Sequence, residues 1–552
     1  MSGPGSASLE SAGSASLSGK RREFSGAALK APSEDRAAII APPLAEAEEL
    51  IAAGAKLRRE SNYDVQGRTL MSLAAEARCE LISAARRYTS SYRNVAAAKC
   101  EPLLLAGHQP QLFHPGVWFK NFALARLARE RQAAAVNLVI DSDTLKEAAL
   151  RVPSGTLDDP VRAVLPFDDP AEEIPYEHRA LANRELFADF GRRAQQAMAT
   201  IVPDPLIGEF WPRVVARSRE TSNLGECLSQ ARHQLEGDWG LETLELPQSQ
   251  VCRLGAFHWF VAHLLAQLPR FQEIHNDALA EYRRQYRLRS ANHPVPDLAA
   301  ERDWLEAPFW LWTVDRPQRR HMFVRASGDE MIVSDRGQIE FRLPLAPEGD
   351  ARRAVDVLAD LPSRGICLRT RALTTTMFAR LFLGDLFVHG IGGGLYDQLT
   401  DALVRRFFGF EPPPFMVLSA TMLLPIERAG SAAEGLRETN RRLREFDYHP
   451  ERFLAPEANA PEIAAAMAAK RRWIETPQTP ANARERCRAI RAANESLARS
   501  LEPERRRAQA DRERLSRRSR AESVLSWREY AFCLYPKRTL ADFLLAFWAA
   551  KP

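Results

Sequence analysis

The stretch from Glu101 to Glu147 restricts the fold more than any other part of the chain. It opens with an apolar run, Leu103 to Ala106, of the length and purity of a strand buried on both faces. The polar segment Gly107-His108-Gln109-Pro110-Gln111-Leu112-Phe113-His114-Pro115-Gly116 follows and reads as a loop. From Val117 to Arg131 the apolar residues Trp118, Phe122, Ala125 and Leu127 recur at helical spacing, and Val136 to Ile140 reads as a second strand ending in Asp141-Ser142-Asp143. Strand, loop, helix and strand in so short a span make the βαβ unit of a parallel sheet.

Such a unit also places the chemistry. Ligands of open α/β sheets sit outside the carboxyl ends of the strands, beside the N-termini of the following helices. His108, Gln109, Gln111 and His114 hang on the first strand's exit, and Asp141, Asp143 and Lys146 on the second's. Lys120 and Asn121 open the helix, where unpaired amides around Val117 favour a phosphate or carboxylate. For His108 and His114 the six-residue spacing leaves phosphate binding, acid/base work and metal ligation all open. Asp141 and Asp143 have two readings, a substrate amine or Mg²⁺ ligand and a helix N-cap.

A second βαβαβ half is expected from Ile366 to Arg371 (strand), Thr375 to Phe382 (helix), Leu386 to His389 (strand), Leu395 to Phe408 (helix) and Phe415 to Leu418 (strand). Together the halves predict an α/β fold, a Rossmann-like doubly wound parallel sheet. Between the last two strands lies a glycine loop, His389-Gly390-Ile391-Gly392-Gly393-Gly394-Leu395-Tyr396-Asp397, whose amides can nest an anion. It matches neither the dinucleotide fingerprint nor the P-loop. Arg369 and Arg371, two apart on a strand, read as an anion clamp or as surface ion pairs.

The remaining segments divide the chain. Residues 1–35, Ser/Gly/Ala-rich, read as a disordered leader, and 36–183 as the first part of the Rossmann-like domain with its N-terminal helices. A helical insertion at 184–306, a small antiparallel insertion at 307–350, the second half at 351–425 and a helical, coiled-coil-like segment at 426–552 complete the division. Phe309, Trp310 and Trp312 read as core or as the floor of a sugar site; His258 and His263, five apart, read as core rather than a metal pair. No metal site is expected. With 76 Lys and Arg against 71 Asp and Glu, the balance argues against nucleic acid as a partner. Seven scattered cysteines without a Cys-x-x-Cys pair, no apolar run of bilayer length and no signal-like N-terminus predict a cytoplasmic protein off the membrane.

The loop Gly107 to Gly116 with its amphipathic helix resembles the signature of the bacillithiol-biosynthesis cysteine-adding enzyme family, and Asp141-Ser142-Asp143 stands where that family has an acidic group. Ile366 to Thr376, Phe387 to Asp397 and Arg528 to Leu540 follow in that family's order. The resemblance implies an amide-forming ligase that joins L-cysteine to a glucosaminyl-malate-like amino-sugar acid at the expense of ATP, with Mg²⁺ where the phosphates require it. It implies a homodimer formed through the C-terminal helices. It also implies catalytic roles for His108, His114, Asp141 and Asp143. Contacts to nucleotide or substrate are implied for Gly107, Gln109, Gln111, Lys120, Asn121, Arg369, Arg371, His389, Gly390, Gly392, Gly393, Gly394, Tyr396 and Asp397. Two other classes fit the same residues: a different nucleotide-dependent ligase or nucleotidyl transferase, and a non-catalytic oligomeric binding protein.

Overall fold

Six strands form the central sheet: β1 (Ala37–Ala41), β2 (Leu103–His108), β3 (Ala134–Val139), β6 (Leu244–Pro247), β13 (Leu386–His389) and β14 (Phe415–Thr421). The structure is a computed structural model and describes residues 24, 29–95, 101–288, 295–426, 432–454 and 461–549. The expected leader therefore lies largely outside the described residues. The spatial order is β1-β14-β13-β2-β3-β6, with β1 antiparallel on the edge and the other pairings parallel. Counted along the chain, the five parallel strands run 3-2-1-4-5 across the sheet, and the order reverses between β2 and β13.

Burial on both faces explains the apolar runs. Leu103 and Leu105 join one core, with residues of α2 (Leu70–Ser90), α8 (Gly255–Ala266), α9 (Leu268–Gln285) and α12 (Ile391–Leu403). Leu104 and Ala106 join the opposite core, with α3 (Pro115–Glu130), α4 (Arg184–Met198), α5 (Ile207–Arg217), α6 (Leu224–Asp238) and α17 (Lys537–Ala549). Successive residues of a strand point to opposite faces, so each side receives alternate leucines. A fully buried leucine contributes roughly 1.5–3 kcal/mol. The first helix, α1 (Ala47–Glu60), leans on the strand origins, where Gly54 leaves no room for a Cβ against the Asp385 carbonyl. Thr69 caps α2, its side chain accepting from Ser72 N at 3.2 Å.

The strands β4 (Ala149–Gly155) and β5 (Pro160–Pro166) form a separate hairpin. A second, antiparallel sheet follows. It contains β7 (Ala300–Glu301), β8 (Trp304–Thr313), β9 (Arg316–Ser327), β10 (Glu330–Ser334) and β11 (Glu340–Leu343). Its far edge is β12 (Ile366–Thr370), paired antiparallel with β8, Leu368 opposite Leu311. This corrects the expectation that Ile366 to Arg371 would be a strand of the parallel sheet. An apolar run of five fits either sheet, and only the partner strand decides.

The short α7 (Gln248–Val251) follows β6, α10 (Arg352–Asp360) precedes β12, and α11 (Ala372–Phe378) follows it. At the C-terminal side α13 (Ala432–Tyr448), α14 (Pro461–Glu475), α15 (Ala483–Arg499) and α16 (Glu502–Leu525) form a helical lobe. Phe446, Leu501 and Ala508 are its small core. Among the described residues no helix is long and apolar enough to cross a membrane.

Candidate functional site

The two loops singled out in the sequence leave neighbouring strands at the same edge. In the β2–β13 pairing Ala106 stands opposite Val388, so Gly107 and His389 come next on adjacent strands. Each strand runs into a helix N-terminus, α3 on one face of the sheet and α12 on the other. This is the point of strand-order reversal, where an open α/β sheet forms a crevice.

Two glycines let the helices approach. A Cβ on Gly116 would overlap the Ala420 carbonyl oxygen, and one on Gly394 would overlap the Val417 side chain. Both neighbours belong to β14. Gly390 and Gly392 have open space where a Cβ would stand, so the backbone at the start of α12 is approachable from the crevice. Gly392, Gly393 and Gly394 were expected in a loop before a helix starting at Leu395. They lie instead in the first turn of α12, which presents its unpaired amides to the same space.

His108 stands at the exit of β2, with its ring edge-to-face on Phe113 at 4.7 Å and its Nδ1 3.2 Å from the Gln109 carbonyl. Burial, reinforced by the Lys120 charge, pulls its pKa down to about 3. His114 caps α3, Nδ1 accepting from Gly116 N at 3.1 Å, and burial with the Arg528 charge lowers its pKa to about 4. Both rings are neutral at pH 7. The cation of the crevice is Lys120, which donates to the Gly107 carbonyl at 2.6 Å. Burial, then repulsion from Arg232, brings its pKa down to about 7.

Arg528 and Arg232 are residues that sequence reasoning gave no role. Residues 528–535 thread over the start of α3, Phe532 N donating to the Phe113 carbonyl at 2.9 Å and Arg528 reaching Thr421 Oγ1 at 3.2 Å. Arg232 lies over the Phe113 ring at 5.7 Å. Nothing in the local pattern around either arginine distinguishes it from the many surface arginines of the chain.

His389 is held by a chain of charges. Its Nε2 lies 2.8 Å from Asp397 Oδ2, and Asp397 also receives Arg380 at 2.6 Å and Thr376 Oγ1 at 2.6 Å. Burial opposes ionisation of Asp397, but Arg380 and His389 outweigh it and hold the carboxyl well below its usual range. Asp397 is therefore a positioning residue for His389, not a ligand contact. Tyr396, on α12, is partly buried against the core on that face of the sheet.

At the exit of β3 the expected ligand groups are already committed to one another. Asp141 accepts from Ser249 N at 2.8 Å and Ser249 Oγ at 2.5 Å, and burial next to Glu177 raises its pKa to about 7. Asp143 accepts from Gln109 Nε2 at 2.9 Å, from Arg319 Nη1 at 3.0 Å and from Thr144 N at 2.8 Å. Neither aspartate caps the segment that follows it, although Asp141 takes a first-turn amide of α7, and with these donors in place the pair does not fit Mg²⁺. Gln111 is exposed, and Asn121 turns away from the crevice to donate to buried Glu236 at 2.8 Å.

Arg369 and Arg371 do not form the clamp expected at the parallel sheet's edge, because β12 belongs to the other sheet. Arg369 grips Glu177 through two bonds of 2.9 and 2.7 Å, and Arg371 holds Glu306 at 2.5 Å. Burial lowers the acidity advantage of Glu306, yet His321, the Ala299 amide and Arg371 together bring its pKa down to about 2. Arg369 on Glu177 and Arg319 on Asp143 tie the antiparallel sheet to the exit of β3, whereas Arg371 on Glu306 braces β12 against β8. Trp312 and Phe309 are buried, while Trp310 reaches the surface with Arg319 and Arg371 stacked on it at 5.1 and 4.8 Å.

Among the described residues two groups have metal-ligand spacing, the half-buried Glu177/His178/Cys367 and the buried His233/Glu236/Glu245. In the first, His178 Nε2 accepts Trp312 Nε1–H at 3.0 Å while Arg369 occupies Glu177. In the second, Arg232 bridges Glu236 and Glu245 at 2.7 and 2.5 Å, and His233 spends its nitrogens on Tyr92 and Thr243. His263 likewise bonds Tyr63 Oη at 2.9 Å. Compared with known proteins, the chain matches no family model and no curated sequence.

Proposed function

We propose that the chain is an ATP-dependent ligase, built on a Rossmann-like core, that joins the carboxyl of L-cysteine to the amine of an amino-sugar acid. The observation that carries this reading is the meeting of the β2 and β13 exits, in register, with a helix N-terminus on each side and a buried lysine of α3 on the Gly107 carbonyl. Such a crevice suits a phosphate chain. The open space over Gly390 and Gly392 fits close approach of phosphate oxygens, and Lys120, Arg528 and the α12 amides would hold them. ATP supplies the leaving group that activates the cysteine carboxyl. Any magnesium arrives on those phosphates rather than in an aspartate cage. His108 and His114, neutral at pH 7 and too weakly basic to take a proton from the amine, would act as neutral hydrogen-bonding groups beside the reacting atoms. The helical lobe α13–α16 is assigned to dimer formation by the same resemblance.

The test is incorporation of labelled cysteine into glucosaminyl-malate and related amino-sugar acids, with and without ATP. An ATP-dependent amide product is expected. Absence of product from every acceptor, with ATP present and the protein folded, overturns the ligase reading.

A pH dependence follows from Lys120. It is charged below about pH 7 and neutral above, so affinity for ADP should fall as pH rises from 6 to 8. The loss should reach about tenfold, since a hydrogen bond to a charged group contributes roughly 1.5–3 kcal/mol. Calorimetry on the wild type and on Lys120→Met checks this; a variant that keeps the full pH dependence removes Lys120 from the site.

A further inference from the structure

Beyond the end of β6 a cleft of about 750 Å³ opens between α2 and the turn that carries α7. Its volume is that of a small-molecule site. One wall is a stripe of α2, Cys79, Ser83 and Arg87, spaced four apart so that they share one helix face. The other wall supplies Ser249, Arg253 and Leu254. Neither the crevice nor the reading given above uses any of these except Ser249.

The charge of the cleft is unbalanced. Among the described residues neither the Arg87 nor the Arg253 guanidinium has a hydrogen bond or an ion pair. The one carboxylate in the wall, Glu80, is engaged, accepting from Gly255 N at 3.0 Å at the start of α8. Two uncommitted guanidinium groups facing one cleft favour an oxyanion, which each can bind through a planar fork. The Ser83 hydroxyl and the Gln250 amide supply neutral donors.

We infer that this cleft is a second ligand site, taking a small hydroxylated molecule that carries a phosphate or a carboxylate between Arg87 and Arg253. Ser249 gives it a route to the main crevice. Its N–H and Oγ–H are both spent on Asp141, so a ligand bonding the Ser249 hydroxyl oxygen draws directly on the partner of that carboxylate. The inference stands on the cleft and its charges and does not depend on the ligase reading.

Cys79, exposed on the rim, is a built-in reporter, and exposed Cys487 on α15 is the internal control. The full chain is alkylated with iodoacetamide in inorganic phosphate, in succinate or in sodium chloride of equal ionic strength, and each site is read by peptide mass spectrometry. Calorimetry with the same anions is run on the wild type, on the R87A/R253A double variant and on Lys120→Met. Expected is saturable heat that survives in Lys120→Met and is lost in the double variant, with several-fold slower alkylation of Cys79 and unchanged Cys487. Response to phosphate alone identifies a phosphoryl ligand, and response to succinate alone a carboxylate. Saturable heat unchanged in the double variant, or no saturable heat with either anion, overturns the second site whether or not cysteine ligation is observed.

Discussion

Replacing Asp385 by alanine is expected to destabilise the protein by about 3–5 kcal/mol, the cost of leaving buried charges without their partner. Asp385 stands just before β13, at the edge of the sheet opposite the crevice. It accepts from Arg78 at 3.1 and 2.9 Å, from Arg58, and from the Leu103 amide at 2.6 Å. One carboxylate therefore joins α1, α2 and the origins of the two central strands. Arg58 and Arg78 are almost wholly buried, so removing the acid takes the carboxylate away from buried Arg58 and leaves Arg78 with the more exposed Glu101 at 3.4 Å. Burial, with repulsion from Arg78, already lowers the Arg58 pKa to about 9. Denaturant unfolding of Asp385→Ala measures the effect. A loss below about 1 kcal/mol, the range of an exposed pair, would show that water reaches these groups.

The second large effect is at Gly116. Its missing Cβ lets α3 lie against the backbone of β14, and a carbonyl oxygen in a central strand cannot step aside as a side-chain tip can. Gly116→Ala should cost about 1–3 kcal/mol through overpacking. Because α3 carries His114, the cap and Lys120, a shift of about 1 Å should lower turnover by roughly 10²-fold. Gly392→Ala is the informative contrast. Its Cβ would enter open space, so stability should stay within about 0.5 kcal/mol while nucleotide affinity falls. If Gly116→Ala keeps native stability and full nucleotide affinity, the close packing of α3 on β14 does not set the site.

Much of this arrangement is legible in the residues, and the exceptions have physical causes. The β2–α3–β3 unit is written in its apolar periodicity. Two central-sheet strands are not. The edge strand β1, Ala-Ala-Ile-Ile-Ala, is half-buried throughout and pairs with β14, Ala37 opposite Thr421 far along the chain. In β6, Glu245 interrupts the apolar run, and its burial is made tolerable by groups from other elements, chiefly Arg232 with Tyr92. The chemistry at the strand exits was visible as residue types, but not its internal commitments. For Asp141, Asp143, Arg369 and Arg371 the sequence leaves ligand and structural roles equally open, because their partners Ser249, Arg319, Glu177 and Glu306 come from distant segments. The helical start of the glycine stretch was missed because glycine disfavours helix interiors, whereas close contact of Gly394 with Val417 demands it there.

The strand order also bears on how the chain is made. β2 is the middle of the sheet, yet its neighbour β13 is synthesised only after the helical region and the whole antiparallel sheet. At ribosomal speeds of ~5–20 residues per second the bare flank of β2 waits for tens of seconds, offering unpaired backbone to any passing strand. Chaperone dependence and slow refolding from denaturant are therefore expected costs of placing the crevice where distant segments converge.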